Sequence, residues 1–164
     1  MKLMVDPDAE PVAHYTPIPI PLHWQAEVKA GLDCDVHLGV LEPVPIGDPV
    51  TWCHRMVVCP KKDGTPRRTV DLQALNKHAT RETHHTLSPF HQARLICHAK
   101  EKTVLDAWNG FHSVRIRPED RHLTTFITPW GRYRYKTAPQ RYIASGDGYT
   151  RCKNEILSSI PCKT

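Results

Sequence analysis

The chain has 164 residues, which is enough for one domain with a sizeable core. Hydrophobic content of 40% and 15 prolines predict a loop-rich fold, and a net charge of +5 favours a polyanionic partner. The opening MKLMVDPDAE lacks the apolar core of a secretory signal, and no stretch approaches the ~18 apolar residues of a membrane span. We therefore expect an intracellular protein, cytoplasmic or nuclear, that is neither secreted nor bound to a membrane.

The first twenty residues are rich in proline. Five prolines lie between positions 7 and 21, and the alternating Pro-Ile-Pro-Ile-Pro run can only be extended or polyproline-like. We expect residues 1–16 to form a disordered or extended arm that is not part of the core.

A helix and a short strand are predicted next. Trp24, Val28 and Leu32 recur at four-residue spacing, which predicts a helix from about Leu22 to Asp33. The apolar run from Val40 to Val44 predicts a strand, and the prolines that come after it predict a loop.

A basic β-hairpin is predicted in the first half of the chain. The runs WCHRMVVCP and RRTVDL are rich in β-formers and flank the turn KKDGTP, with Asp63-Gly64 at its tip. Four cations lie at this tip, and they are Lys61, Lys62, Arg67 and Arg68. One interpretation is a solvated edge that discourages strand aggregation. The other is a phosphate clamp, in which Arg offers a bidentate fork and Lys a mobile point charge.

The segment VLDAWNGFHSV, Val104 to Val114, comes after a predicted polar linker (Ala74 to Ser88) and a predicted helix (Pro89 to about His98). It predicts an apolar strand that ends in Asp106, where a carboxylate could hold a metal ion beside a pocket bounded by Phe111. Without further context, a strand-end cap explains Asp106 better, and Phe111 and Trp108 are expected to be core aromatics.

The remaining sequence predicts short elements of both kinds. Ser113 to Ile116 has β character, and Pro118-Glu119-Asp120 predicts a single helical turn. HLTTFITP and RYRYKT flank Trp130-Gly131 as a second hairpin, and a helix is predicted from Tyr142 onward. Short strands mixed with three or four helices indicate an α+β fold, not a doubly wound parallel sheet.

Histidines and cysteines give no strong metal signal. Five histidines lie close together in sequence, namely His78, His84, His85, His91 and His98. Adjacent side chains on a strand point to opposite faces, and no Cys pair completes a tetrahedral zinc set, so we favour surface or capping roles. The six cysteines are scattered, and we expect reduced thiols.

The order of these motifs resembles one family. The hairpin ending in VDLQALNK, the segment VLDAWNGFHSV, and RHLTTFITPWGRYRYKTAPQ followed by a helix are similar to the fingers and palm of reverse transcriptases from gypsy-type long-terminal-repeat retrotransposons. The resemblance runs from about Pro17 to Ile160. It implies a partial RNA-directed DNA polymerase domain over residues 17–164. The implied fingers are about 17–85 and 118–138, and the implied palm is about 86–117 and 139–164.

The resemblance implies a metal site and a sugar contact. Asp106 matches the first metal-binding aspartate of the palm, which implies Mg²⁺ as the cofactor. Phe111 matches the aromatic residue that lies against the sugar of the incoming nucleotide and excludes a 2′-hydroxyl by volume. The reaction is attack of a primer 3′-hydroxyl on an α-phosphate, which two divalent ions about 4 Å apart assist.

The resemblance also implies nucleotide contacts outside the metal site. Lys61 or Lys62 and Arg67 match the fingertip cations that grip the triphosphate, and Gln140 lies in the segment that packs under the nascent base pair. The implied partners are an RNA or DNA template-primer and a deoxynucleotide. Asp71 is expected to be structural, a carboxylate that fixes the loop through Arg67 or Arg68.

The sequence departs from the family pattern in two places. The family supplies further aspartates from a Tyr-x-Asp-Asp hairpin, whereas this sequence reaches Thr164 without any Asp-Asp pair. Arg141 stands where the family has a glycine, and a long cation there could block close approach of the backbone to the template. We therefore expect a palm truncated before its second hairpin and no polymerase activity of the isolated chain. The alternatives are a non-catalytic nucleic-acid-binding module and a non-functional remnant of a mobile element.

Overall fold

The computed structural model describes residues 1–81, 88–96, 100–101 and 106–157. These residues form an α+β fold, as predicted. In chain order the elements are α1 (Leu22–His37), β1 (Leu41–Pro43), β2 (His54–Pro60), β3 (Pro66–Asp71), α2 (Gln73–Lys77), α3 (Pro89–Ile96), two 3-10 helices (Gly110–Ser113 and Pro118–Thr124), β4 (Phe126–Thr128), β5 (Gly131–Tyr135) and α4 (Ser145–Leu157). None of the helices in the described ranges is both long enough and apolar enough to cross a bilayer.

The strands of the described residues form one five-stranded sheet in the order β1-β5-β4-β2-β3. Neighbouring strands of the sheet are antiparallel, except that β2 and β4 are parallel. The β2–β3 hairpin has the longest register, from Arg55 opposite Asp71 to Pro60 opposite Pro66. Strand β3 is an edge strand, so the basic hairpin lies at the margin of the sheet.

The core lies between one face of the sheet and α1. Leu32 and Val28 are each 1% exposed, because their four-residue spacing places both on the side of α1 that faces the protein. Met56 and Val70 are paired across β2 and β3 and are also buried, as is Phe126 on β4. Alternation along the strands leaves the intervening side chains on the opposite face of the sheet.

Most predicted elements are confirmed. The first helix continues four residues beyond its predicted end, to His37, and both hairpins and the helical turn at Pro118 are present. The final helix begins at Ser145, three residues after the predicted start.

Two predictions of local structure are wrong in part, and a third falls mostly outside the described residues. The predicted polar linker contains α2, which forms because Leu75 packs into the core at 0% exposure. Asp106 and Ala107 are irregular and lead into a 3-10 helix, and the strand predicted before them falls on residues 102–105, outside the described residues. Of the β structure predicted from Ser113 to Ile116, the structure contains one isolated β-bridge, between Arg115 and Thr137.

The proline-rich start of the chain, residues 1–21, forms no helix or named strand, but it contributes to the core. Leu3 is 3% exposed and Ile20 is 6% exposed, and both belong to the main apolar cluster. Hydrogen bonds hold the segment against later parts of the chain. The Leu3 N–H donates to Asp120 Oδ2 at 2.8 Å, and the Thr80 N–H donates to the Met4 carbonyl at 2.7 Å. The prediction that this arm lies outside the core is therefore wrong.

Candidate functional site

A cavity of about 780 Å³ lies where α1, all five strands, the tip of the β2–β3 hairpin, segment 108–113 and Gln140 meet. This volume is within the range of ordinary small-molecule sites. Its apolar wall includes Leu32, Leu38, Val40, Leu41, Met56, Val70 and Phe126. Its polar wall includes Asp35, Lys61, Arg67, Arg68, Asn109, His112, Tyr135 and Gln140. The cavity thus has an apolar floor and several positive charges near its edge.

The tip of the β2–β3 hairpin is closed by its own side chains. Asp63 Oδ1 accepts hydrogen bonds from the Thr65 N–H at 3.0 Å and the Thr65 hydroxyl at 2.7 Å, and these bonds lower the pKa of Asp63. Gly64 has φ +82°, a left-handed conformation that suits glycine. The Lys61 N–H donates to the Thr65 carbonyl at 2.8 Å. The backbone that carries Lys61 is therefore fixed beside the cavity.

The two arginines of β3 have different roles because successive residues of a strand point to opposite faces. Arg67 is exposed, and it lies opposite Cys59. Arg68 is turned toward α1, where its Nη1 lies 3.0 Å from Asp35 Oδ2, and its guanidinium packs over Gly31. A Cβ at position 31 would come within 2.9 Å of Arg68 Nη2, so the glycine leaves room for this contact.

This arrangement corrects two predictions. Arg68 is not a free cation of the hairpin tip, since Asp35 pairs with it. Asp71 does not fix the loop through Arg67 or Arg68. Its Oδ1 instead accepts the Gln73 N–H at 3.1 Å, at the start of α2.

Segment 106–113 forms the opposite wall. Asp106 is exposed, and Trp108 is 83% exposed, so the expectation of a core tryptophan is wrong. Asn109 has φ +50°, a left-handed conformation that Asn tolerates better than most residues. It is followed by the 3-10 helix Gly110–Ser113, in which Ser113 Oγ–H donates to the Gly110 carbonyl at 2.6 Å.

Phe111 is half-buried against the first turns of α4. Its ring meets that of Tyr149 edge to face, with centroids 5.7 Å apart and planes at 72°. Gly110 allows this contact, because a Cβ there would lie 2.8 Å from Tyr149 Cζ. Phe111 therefore anchors the segment and is not among the residues that line the cavity.

The turn that carries Gln140 contains a left-handed residue. Arg141 has φ +69°, a conformation that costs an L-residue other than glycine roughly 1–2 kcal/mol. Its carbonyl accepts Asn76 Nδ2–H at 2.8 Å, and the Ile143 N–H donates to Asn76 Oδ1 at 3.0 Å. The backbone at position 141 therefore adopts a conformation that glycine favours, although the residue is arginine.

Burial changes the acid–base behaviour of two side chains in the cavity wall. Desolvation lowers the pKa of His112, whose Nδ1 lies 3.2 Å from Thr137 Oγ1. Burial also raises the pKa of Tyr135 well above its ordinary value, with a further contribution from the negative charge of Asp35. Both side chains are therefore neutral at pH 7, and the positive charge of the cavity comes from its lysine and arginines.

Asp106 has no cluster of metal-ligating side chains around it in the described part of the chain. A hard cation such as Mg²⁺ needs several oxygen ligands. Across the ranges that the structure describes, no three His, Cys, Asp or Glu side chains are grouped so that they could hold a metal ion. Three of the histidines considered for zinc, His84, His85 and His98, lie outside the described residues.

The structure brings three of the six predicted site residues together. Lys61, Arg67 and Gln140 come from distant parts of the chain and line the same cavity. Three others, Lys62, Asp106 and Phe111, are not among its lining residues.

Sequence reasoning missed Asp35, Asn76 and His112. Asp35 belongs to no motif, and His112 lies in VLDAWNGFHSV without a role assigned to it. Asn76 lies in VDLQALNK, but it binds Arg141, which is 65 residues away in sequence, so no local pattern predicts the contact.

No family model matches the sequence. A curated relative is the Pro-Pol polyprotein of Simian foamy virus type 1, which is 30% identical over 105 residues, or 62% of this chain and 9% of the polyprotein. Among solved structures, the native protease-reverse transcriptase of prototype foamy virus matches with a TM-score of 0.80 and 25% identity over 96% of this chain and 21% of that protein.

A foamy viral protease-reverse transcriptase in complex with an RNA/DNA hybrid matches with a TM-score of 0.76 and 18% identity, over 98% of this chain and 21% of that one. Another, in complex with double-stranded DNA, matches with a TM-score of 0.74 and 20% identity, over 96% of this chain and 26% of that one. The chain thus has a reverse-transcriptase-like fold. It spans about a fifth to a quarter of these proteins and about a tenth of the polyprotein.

Proposed function

We propose that this chain is the fingers and part of the palm of an RNA-directed DNA polymerase, and that its cavity binds the triphosphate of a deoxynucleotide next to an RNA or DNA template-primer. One observation carries the proposal. Lys61, Arg67 and Gln140, which the motifs select from separate parts of the sequence, line a single cavity in a reverse-transcriptase-like fold.

The charges of the cavity suit an anionic ligand. Arg67 offers a bidentate fork and Lys61 a point charge, the two donor types that bind phosphate oxygens. Apolar side chains and the exposed ring of Trp108 provide surface for a nucleoside. The cavity therefore combines a phosphate end with an apolar end.

Mutation of the cations tests the nucleotide site. A hydrogen bond to a charged group contributes about 1.5–3 kcal/mol, so Lys61→Ala and Arg67→Ala should each weaken binding of dTTP about ten- to hundred-fold. Arg68→Ala should weaken dTTP binding less, because the Arg68 guanidinium already pairs with Asp35. Lys29→Ala is the matched control, since Lys29 pairs with Asp33 within α1 and does not line the cavity. Equal losses in all four variants would contradict the proposed site.

Binding of template-primer is proposed to depend on the same basic hairpin. Because cations release counterions from the nucleic-acid backbone, affinity should fall with salt, and the slope should flatten when Lys61, Lys62 and Arg67 are replaced by alanine. Filter binding of the chain to a primed RNA template at several salt concentrations measures this slope. An unchanged slope would place binding elsewhere on the molecule.

We propose that the 164-residue polypeptide by itself binds without extending a primer. The support is that the described residues gather no set of three metal-ligating side chains around Asp106. Primer extension with deoxynucleotides and Mg²⁺ should therefore give no product. Product formation that is lost in Asp106→Asn would overturn this part of the proposal.

Phe111 is proposed to distinguish deoxynucleotides from ribonucleotides. The support is its match to the family aromatic and its position between Asn109 and His112, which line the cavity, although the ring itself packs against Tyr149. Phe111→Ala should raise the affinity for UTP relative to that for dTTP. An unchanged ratio would leave the ring with only its structural contact to Tyr149.

The origin in a gypsy-type retrotransposon is also a proposal. It is supported by the order of VDLQALNK, VLDAWNGFHSV and the second hairpin along one chain. Sequencing of the genomic locus should find flanking long terminal repeats. A locus with neither repeats nor other retroelement genes would contradict it.

A further inference from the structure

Asn76 connects two parts of the molecule that are far apart in sequence. It lies in α2, and its side-chain amide reaches the turn beyond β5. Its Nδ2–H donates to the Arg141 carbonyl at 2.8 Å, and its Oδ1 accepts the Ile143 N–H at 3.0 Å. The nitrogen and the oxygen of this one amide thus bind the backbone on the two sides of Tyr142.

The turn held by this amide joins the core to the cavity. Tyr142 is 3% exposed and belongs to the main apolar cluster, whereas Gln140 is exposed and lines the cavity. Arg141 lies between them with φ +69°. Because a left-handed conformation is unfavourable for arginine, the turn needs contacts that hold it in this conformation.

Other hydrogen bonds of the turn act on Pro139 and Tyr142, not on Arg141. The Ser145 hydroxyl donates to the Pro139 carbonyl at 2.7 Å, and the Ser145 N–H donates to the Tyr142 carbonyl at 3.1 Å. These bonds fix the two ends of the turn against the start of α4. The bonds from Asn76 act on the strained residue itself.

We propose that Asn76 is a positioning residue for Gln140. By fixing the Arg141 carbonyl and the Ile143 N–H, it holds the backbone that places Gln140 in the cavity wall. The part of this inference that concerns ligand binding rests on the proposed function of the cavity. The structural part, that Asn76 sets the conformation of residues 140–143, stands without it.

Backbone dynamics test the structural part. In Asn76→Ala, ¹⁵N relaxation and amide exchange should show increased motion at Gln140, Arg141 and Ile143. Gln25→Ala is the matched control, because it also removes a bond from a side-chain amide to a backbone carbonyl, at Ile20, and Gln25 does not line the cavity. Unchanged dynamics at residues 140–143 in a folded Asn76→Ala protein would overturn the proposal. Asn76→Asp keeps the acceptor for Ile143 and should give an intermediate effect if the alanine variant does not fold.

Binding of dTTP tests the functional part. Asn76→Ala should weaken affinity by the same factor as Gln140→Ala, to within about twofold, and the double variant should show no further loss. Additive losses, or a normal affinity in Asn76→Ala beside a reduced one in Gln140→Ala, would overturn it. If the wild-type chain binds no dTTP, the proposed function fails, and the relaxation data still decide whether Asn76 fixes the turn.

Discussion

The β2–β3 hairpin and segment 106–113 face the same cavity, but they are built in different ways. In the hairpin, six residue pairs in register fix the face of the sheet to which each side chain points. In the segment, Asn109 and Gly110 allow an irregular path, and a contact with Tyr149, 38 residues further along the chain, holds Phe111 in place. Regular pairing positions Arg67 and Arg68, whereas a single distant contact positions Phe111.

The comparison predicts a large difference in stability between the two regions. Met56→Ala in the hairpin should lower the free energy of unfolding by about 2–5 kcal/mol, because Met56 is 3% exposed and packed among Val70 and Phe126. Phe111→Ala should cost only about 1–2 kcal/mol, because Phe111 is half-buried and has one aromatic partner. Chemical denaturation measures both. A larger loss in Phe111→Ala would mean that the segment, not the hairpin, stabilises this side of the cavity.

Each region contains a glycine that it needs for a different reason. Gly110→Ala should destabilise the protein by about 1–3 kcal/mol, since its Cβ would lie 2.8 Å from Tyr149 Cζ. Gly64→Ala should cost about 1 kcal/mol through its φ of +82° alone, as no atom lies within 4 Å of the added Cβ. Replacing Tyr149 by alanine should remove the penalty at position 110 and leave that at position 64 unchanged. Equal penalties before and after that replacement would contradict the contact.

Acidification should affect the two regions unequally. Desolvation lowers the pKa of His54, at the start of β2, and of His112, in the segment, below their ordinary value of 6.5. As the pH falls, the unfolded chain therefore binds more protons than the folded chain does. The stabilisation that the two neutral histidines contribute is complete above about pH 6.5 and is lost as the pH falls below it. His54 is 2% exposed and His112 is half-buried, so His54→Gln should flatten the pH dependence between pH 7 and 5 more than His112→Gln. The reverse order, measured by denaturation at each pH, would contradict the assignment of the larger desolvation to His54.

The turn at Arg141 gives the smallest expected effect, and its sign is opposite. Arg141→Gly should raise stability by about 1 kcal/mol, because glycine adopts φ +69° without strain. It should not produce primer extension, since no metal ligand is added. A loss of stability would show that the arginine side chain makes a contact that outweighs the strain.

Elements that depend on periodicity and turn chemistry could be predicted from the sequence. Alternation in β2 and β3 and the spacing of Val28 and Leu32 are local patterns. Both hairpins and the first helix could therefore be predicted from the sequence. The pairing of Arg68 with Asp35 was not, because it depends on how α1 packs across the sheet. The exposure of Trp108 was missed for the same reason, since an aromatic in an apolar run is expected to be buried. The cavity itself depends on residues from distant parts of the chain, and only the family resemblance connected Lys61 and Arg67 with Gln140.

Chemical-shift mapping with dTTP shows whether the cavity binds a nucleotide. In ¹H–¹⁵N spectra of the whole chain, dTTP should shift the amides of Lys61, Arg67, Asn109 and Gln140 together and with one dissociation constant, and it should leave Lys29 and Gln25 unchanged. Saturable shifts confined to these cavity residues would support a nucleotide site built by the fold. Shifts that track the exposed cations without saturation, or no shifts at the cavity, would contradict it.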